Sequence, residues 1–172
     1  MDSSLPTIPE GLDLIPRNDG AIIRRVWLSW KIAFLAVFAV FWDSFLYFWY
    51  AHALGKPNVP LMTLLFPLMH VAVGIGLTYY VLASLVNKTD IEISPSGVKI
   101  ATGPAPWIGN KEVSAGEITA VLVRERSSNR NRRSYSVMYA DRARKERKLV
   151  TWLPELDQAE FIAEVVRRTL AL

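Results

Sequence analysis

Two apolar stretches decide the fold of this 172-residue chain: VWLSWKIAFLAVFAVFWDSFLYFWYA (residues 26–51) and PLMTLLFPLMHVAVGIGLTYYVLASLV (residues 60–86). Each would extend about 40 Å as a helix, at about 1.5 Å per residue. The hydrocarbon core of a bilayer needs roughly 20 apolar residues in a helix, so both stretches are long enough to cross it. Only eight residues, 52–59, separate them, which leaves room for a tight connection. We therefore predict a transmembrane helical hairpin over residues 26–87.

Charge divides the chain in the same way. Residues 26–86 contain only Lys31, Asp43 and Lys56 as charged residues, whereas residues 88–172 contain 26. Basic residues precede the first apolar stretch and follow the second, and such residues mark the cytoplasmic ends of membrane spans. We expect both termini to lie in the cytoplasm. Prolines and glycines interrupt residues 1–25, which predicts an extended cytoplasmic N-terminal tail.

After Lys88 the pattern changes from helical to strand-like. Apolar and polar residues alternate at 90–93 and 98–101, and four more short strands are predicted by residue 152. Residues Ile162, Val166 and Leu170 then form one apolar stripe of a C-terminal helix, before which Asp157 and Glu160 resemble a capping box. We therefore predict an α+β membrane protein, in which the helical hairpin is followed by a small antiparallel domain with a C-terminal amphipathic helix over residues 88–172.

This arrangement of strands and helix is similar to the pleckstrin-homology (PH) architecture. The segments FWDSFLYFWY (41–50), LFPLMHVAVGIGLTYY (65–80), LVNKTDIEI (85–93) and GPAPWIGN (103–110) resemble those of an uncharacterised bacterial family with two transmembrane helices and a C-terminal PH-like domain. The resemblance extends over roughly residues 25–118. It implies a bacterial inner-membrane location, and it places Asp43, His70, Asn87 and Trp107 at motif positions without assigning them a role.

Two ionisable residues lie deep in the predicted spans. Asp43 and His70 fall at similar depth in an antiparallel hairpin, and an ionisable group inside a membrane is costly unless it is paired. We expect a structural hydrogen bond between them. The open alternatives are a proton or ion pathway, a haem or chlorophyll ligand at His70, and no pairing. Gly74 and Gly76 give the second span a smooth patch where another helix could pack closely.

Two features of the cytoplasmic half are candidates for contact with a partner. Trp107 lies in a loop rich in proline and glycine, where it could cover the sheet, rest on the membrane interface or line a ligand site. A basic window, residues 124–148, has net charge +7 from three acidic and ten basic residues: Arg124, Arg126, Arg130, Arg132, Arg133, Arg142, Arg144, Lys145, Arg147 and Lys148. It could be a solvated face, attract anionic lipids or bind an acidic protein surface.

Several classes of chemistry are excluded or disfavoured by the residues. The chain has no cysteine, and its two histidines, His52 and His70, both lie outside the predicted cytoplasmic domain. Disulfides and thiolate metal sites are therefore excluded, and so is a histidine-assisted nucleophile in that domain. The sequence contains no phosphate-loop, dinucleotide-binding or zinc-protease motif. We expect no enzymatic activity, no metal site, no nucleic acid and no small-molecule substrate.

The function expected from these features is that of a non-enzymatic accessory, assembly or scaffold subunit of a larger respiratory or photosynthetic membrane complex. Its partners would be other integral membrane proteins and anionic lipids. One alternative is an independent PH-like module that binds anionic lipids. A second is a carrier of pigment or haem bound through His70.

Overall fold

The chain folds into two long apolar helical segments and two antiparallel sheets, an α+β arrangement. The computed structural model describes residues 7–128 and 132–172. These divide by their contacts into two units. The helical unit comprises residues 27–87 and 104–106, and the sheet unit comprises the described residues of 1–26, 88–103 and 107–172.

The helical unit contains helices α1 (Trp30–Leu54), α2 (Leu61–Leu65) and α3 (Leu68–Val86). The second apolar segment is interrupted at Pro67, because proline has no N–H to donate and its ring clashes with the preceding turn. Both segments, Trp30–Leu54 and Leu61–Val86, are long and apolar enough to cross a membrane, as the sequence predicts. Only 17% of the most apolar part of the first and 11% of the second is buried within the protein. Their apolar side chains therefore point mostly outward.

The seam between the two segments follows a repeat of seven residues. The residues buried along α1 are Ile32, Ala39, Leu46 and Ala53. Along the second segment, Pro67, Gly74 and Val81 are buried with the same spacing. A seven-residue repeat keeps one narrow stripe of each helix facing its neighbour. The hairpin is thus held together by a thin line of contacts, and most of its surface is left uncovered.

The described residues of the sheet unit form two antiparallel sheets, a short 3-10 helix at Ala115–Glu117 and one α-helix. Five strands pair in sequence order in the first sheet: β1 (Leu12–Arg17), β2 (Gly20–Val26), β3 (Lys88–Ser94), β4 (Gly97–Gly103) and β5 (Lys111–Ser114). Three strands form the second sheet, β6 (Ala120–Ser128), β7 (Arg132–Ala140) and β8 (Glu146–Leu153). The six strands that the sequence predicts after Lys88 are all present.

The prediction of an extended N-terminal tail over residues 1–25 is wrong for residues 12–25. Residues 12–26 instead form β1 and β2, and β2 pairs with β3 so that Ile23 lies opposite Ile91. Both of these isoleucines are completely buried. The prolines and glycines of this segment interrupt its apolar residues, so the strand pattern is weak in the sequence. That pattern forms stable structure only because β3, more than 60 residues later, supplies its partner.

Helix α4 (Leu156–Leu170) packs on the sheets through the predicted stripe. Phe161, Ile162 and Val166 are fully buried in a core that they share with residues of both sheets. The capping box predicted from Asp157 and Glu160 is wrong. The helix begins one residue before Asp157, with Glu155 as its N-cap, and no side chain caps it.

Candidate functional site: the helical hairpin and the basic window

Aromatic side chains on α1 satisfy backbone carbonyls near the break at Pro67. A proline leaves the carbonyl four residues earlier, here that of Thr63, without its helical donor. The Trp49 indole Nε1–H donates to the Thr63 oxygen at 3.2 Å, and the Tyr50 hydroxyl donates to the Leu64 oxygen at 2.9 Å. Inside a membrane an unsatisfied carbonyl costs several kcal/mol. These two aromatic residues therefore stabilise the broken helix against α1.

Asp43 lies near the middle of α1 and contacts α3. Its Oδ2 accepts a hydrogen bond of 2.6 Å from the Thr78 hydroxyl. Its Oδ1 lies so close to Gly74 that a Cβ there would be 2.7 Å away. Asp43 is thus positioned by two residues of the facing helix, a small one and a hydrogen-bond donor.

His70 has a different environment from Asp43. Its ring stacks on Trp42, with centroids 5.7 Å apart, and packs against Phe66 at 5.6 Å. The Trp42 indole also donates to the His70 carbonyl oxygen at 3.1 Å. The imidazole Nδ1 is buried, and no described residue hydrogen-bonds to it.

The predicted hydrogen bond between Asp43 and His70 does not form among the described residues. Helical side chains tilt toward the N-terminus of their own helix. In an antiparallel pair, the Asp43 side chain therefore tilts toward the later residues of α3, where it meets Thr78. The His70 side chain tilts the opposite way, toward Phe66. His70 lies beside Trp42, the neighbour of Asp43, but the tilt of the two side chains directs them to different partners.

The two candidate packing glycines also differ. A Cβ on Gly74 would meet Asp43 and would lie 3.3 Å and 3.4 Å from atoms of Trp42 and Leu46. A Cβ on Gly76 would meet nothing within 4 Å. Gly74 therefore serves the packing within the hairpin. Gly76 lies on an open side of the helix.

One face of the hairpin carries an open groove between α1 and α3, with a cavity volume of about 700 Å³. We call it the Asp43 groove. Its residues on α1 are Asp43, Leu46, Tyr47, Tyr50, Ala51 and Leu54, and those on α3 are Val71, Ile75, Thr78, Tyr79 and Leu82. On each helix the lining spans 12 residues with spacings of three and four, which is three turns of one face, about 16 Å long. Sequence analysis missed this groove, although the spacing of these residues could have indicated it.

Asn87 joins the end of α3 to the loop that precedes Trp107. It ends α3, and its Oδ1 accepts a hydrogen bond of 2.7 Å from the backbone N–H of Ala105. The Tyr79 hydroxyl donates to the carbonyl oxygen of Pro106, so residues 104–106 are bound to α3 at two points. Trp107 follows them directly and is half-buried. Asn87 therefore has a structural role, since it holds this loop against the end of α3.

Ion pairs within the basic window reduce its free charge. Arg124 and Glu146 form a bidentate pair, and Arg147 binds Asp141 at 2.8 Å. The hydrogen bond from Arg124 lowers the pKa of Glu146, and hydrogen bonds from Arg147 and the Lys145 N–H lower that of Asp141. Arg133 lies 3.4 Å from Glu125. All three acidic residues of the window are therefore held by its own arginines.

The remaining residues of the window fall into three groups. Arg142 donates to the Gly116 carbonyl oxygen at 2.7 Å, and Arg126 lies over the Trp152 ring, 5.8 Å from its centroid. Within the described part of the chain, the side chains of Arg144, Lys145 and Lys148 are exposed and form no ion pair. Arg130 and the side chain of Arg132 lie outside what the structure describes.

Trp152 is a feature that sequence analysis missed. It has a φ of +63°, and its ring is 68% exposed at the end of a strand whose pairing with β7 is irregular. Positive φ is uncommon for a bulky residue and stores strain. The Arg25 guanidinium donates to the Trp152 carbonyl oxygen at 3.0 Å, so basic groups contact both the ring and the backbone. In sequence Trp152 looks like an ordinary strand residue.

Among the described residues, no group of three or more histidine, aspartate or glutamate side chains is placed to hold a metal ion. In comparisons with known proteins, no family model and no curated protein matches this chain.

Proposed function

We propose that this chain is an integral protein of the bacterial inner membrane with both termini in the cytoplasm. In this proposal it acts without catalysis, as an accessory, assembly or scaffold subunit of a larger membrane complex such as a respiratory or photosynthetic one. The observation that carries the proposal is the outward-facing apolar surface of the hairpin. Large side chains such as Trp30, Phe34, Phe41, Phe48 and Met69 are each more than 65% exposed.

A surface of this kind fits a membrane protein that packs on others. Patches of exposed apolar side chains on soluble proteins are rarely this extensive. Because the hairpin is held by a narrow stripe with a seven-residue repeat, few of its aromatic rings are buried. Those rings remain available to lipid and to neighbouring helices. The sheet unit supports the same proposal as a cytoplasmic PH-like domain. Its two antiparallel sheets and C-terminal helix share a core, as in that architecture.

The experiment is extraction of the full chain from its native membrane in a mild detergent, followed by native gel electrophoresis and immunodetection. We expect the protein to migrate with an assembly several times its own mass of 19.4 kDa. Extraction in a harsher detergent provides the control, since it should release the free chain. Migration only as a free chain under the mild condition would contradict the subunit proposal.

A second candidate function, binding of anionic lipids, is favoured by Trp152 and its neighbours. An exposed indole beside Arg126 and Arg25 combines the aromatic and basic groups that membrane interfaces favour. Residues 88–172 alone are unsuitable for the test, because β3 would lose its pairing with β2.

The test instead uses the full chain in nanodiscs with an environment-sensitive fluorophore on a single cysteine. We compare Trp152→Cys with Glu160→Cys, an exposed control position on α4. Lipid binding predicts a blue shift at position 152 only, present with phosphatidylglycerol, absent with phosphatidylcholine alone and weakened by salt. Equal emission in both lipids would remove this candidate.

A further inference from the structure

The Asp43 carboxylate has no counter-charge within the hairpin. Its described hydrogen bond comes from the neutral hydroxyl of Thr78. The nearest lysine or arginine in the same helix is Lys31, 12 positions away, or about 18 Å along the axis. Asp43 is nonetheless exposed, because it opens into the Asp43 groove. A carboxylate on an apolar membrane segment is costly unless it is paired, so a cationic partner from outside the hairpin would stabilise it.

The depth of Asp43 restricts what that partner can be. It lies 13 residues from the start of α1 and 11 from its end, about 20 Å and 17 Å along the axis. In a bilayer with a hydrocarbon core about 30 Å thick, this is close to the midplane. Lipid headgroups lie at the surface and cannot bring a cation to this depth. A transmembrane helix can.

The form of the groove agrees with a helical occupant. Both walls are straight faces of α1 and α3, each about 16 Å long, so the groove is elongated along the helix axes. Its lining is apolar and aromatic except for the polar pair of Asp43 and Thr78 and the tyrosine hydroxyls. Three turns of a neighbouring helix match this length and would place one side chain opposite Asp43.

We propose that the Asp43 groove binds a transmembrane helix of a partner protein, and that a lysine or arginine of that helix pairs with Asp43 near the middle of the membrane. This inference rests on the proposed function as a membrane-complex subunit and names the chemistry of its partner. A second copy of this chain is a poorer occupant, because the basic groups of its helices are Lys31 and His52 near the two ends of α1 and a half-buried His70.

The absence of cysteine allows a direct test by site-specific photo-crosslinking in the native membrane. A benzophenone is attached at Ile75→Cys in the groove or, as the matched control, at Val73→Cys on the other side of the same helix. Both positions are more than half exposed. We expect a crosslink from position 75 to a membrane helix of another protein, mapped by mass spectrometry to within one turn of a lysine or arginine.

Charge variants complete the test. We expect Asp43→Asn, which retains an acceptor for Thr78, to lower the crosslink yield by about tenfold, because the partner's charge is then buried unpaired. Asp43→Glu keeps the charge and should retain most of the yield. Reversing the charges, with Asp43→Lys and an acidic residue at the mapped basic position, should restore it.

Four results would overturn the inference: equal yields from positions 73 and 75, a helix without a basic residue, capture of lipid or a second copy alone, or an unchanged yield with Asp43→Asn. If the chain still migrates with a large assembly, these results remove the groove as the contact and leave the subunit proposal intact. Migration as a free chain would instead remove the subunit proposal itself.

Discussion

The contact between Gly74 and Asp43 gives the sharpest quantitative prediction for the hairpin. In Gly74→Ala the new Cβ would lie 2.7 Å from Asp43 Oδ1, whereas ordinary contact begins at 3.4 Å, so the carboxylate must retreat by 0.7 Å (3.4 − 2.7). A shift of this size disrupts the 2.6 Å hydrogen bond from Thr78. Hydrogen bonds between membrane helices contribute about 0.6 to 1.7 kcal/mol. With the added crowding at Trp42, we expect the contacts at this site to lower the free energy of unfolding by about 1–2 kcal/mol.

Gly76→Ala is the matched control. Replacing a helical glycine by alanine stabilises a helix by about 1 kcal/mol, and this gain applies to both variants. At Gly76 nothing opposes it, because the added methyl group meets open space. The predicted quantity is therefore the difference in unfolding free energy between the two variants.

The assay is unfolding of the full chain in detergent micelles by titration with sodium dodecyl sulfate, followed by tryptophan fluorescence. Gly76→Ala should unfold at a higher fraction of the denaturing detergent than Gly74→Ala. In an Asp43→Ala background the penalty at Gly74 should nearly disappear, since the clashing oxygen is gone. Equal stability of the two alanine variants in the wild-type background would refute the close contact.

Three further predictions address other parts of the structure. Trp49→Phe should destabilise the hairpin by about 1 kcal/mol in the same assay, because the carbonyl freed by Pro67 loses its donor. In a Pro67→Ala background, where a backbone N–H returns, the loss of stability should be smaller. An undiminished loss would exclude this explanation. Ile23→Ala should lower the unfolding free energy of the sheet unit by about 2–5 kcal/mol, as for a core isoleucine. Ile8 is 46% exposed, so Ile8→Ala should change that free energy little. Equal effects in chemical denaturation would mean that β2 is not part of the core. A hydrogen bond from an arginine lowers the pKa of Asp90, so the stability that this pair contributes is present above the pKa of Asp90 in the unfolded chain and is lost as the pH falls through the lower pKa of the folded state. Thermal melts should therefore show a weaker loss of stability in acid for Asp90→Asn than for the wild type. An identical loss of stability in acid for both proteins would contradict the pairing.

Local sequence patterns were enough to predict the two long helical segments and the strands after Lys88. The uninterrupted apolar runs gave the two long helices, and the alternation after Lys88 gave six strands in the right places. The break in the second segment lies at Pro67, because proline in a helix interior removes a backbone hydrogen bond and clashes with the preceding turn. These signals are local, so no knowledge of the tertiary structure was needed to interpret them.

The parts that escaped prediction depend on distant partners or on side-chain direction. Pro16 interrupts the alternation of β1, and β2 (GAIIRRV) does not strictly alternate, so it is the pairing of β2 with β3 that makes them strands. Asp43 and His70 lie at similar depth, yet the tilt of helical side chains assigns them different partners. The basic window has a large formal charge in sequence, but three ion pairs formed across strands and turns neutralise part of it.

The position of the helical segment within the strand order constrains how the protein is made. Val26 and Lys88 are paired neighbours in one sheet although 61 residues lie between them along the chain. A growing polypeptide therefore presents β1 and β2 long before β3 leaves the ribosome. Until then this first β-hairpin has an open edge, which favours incorrect pairing. The first sheet can therefore be completed only after the entire helical segment, residues 27–87, has been synthesised.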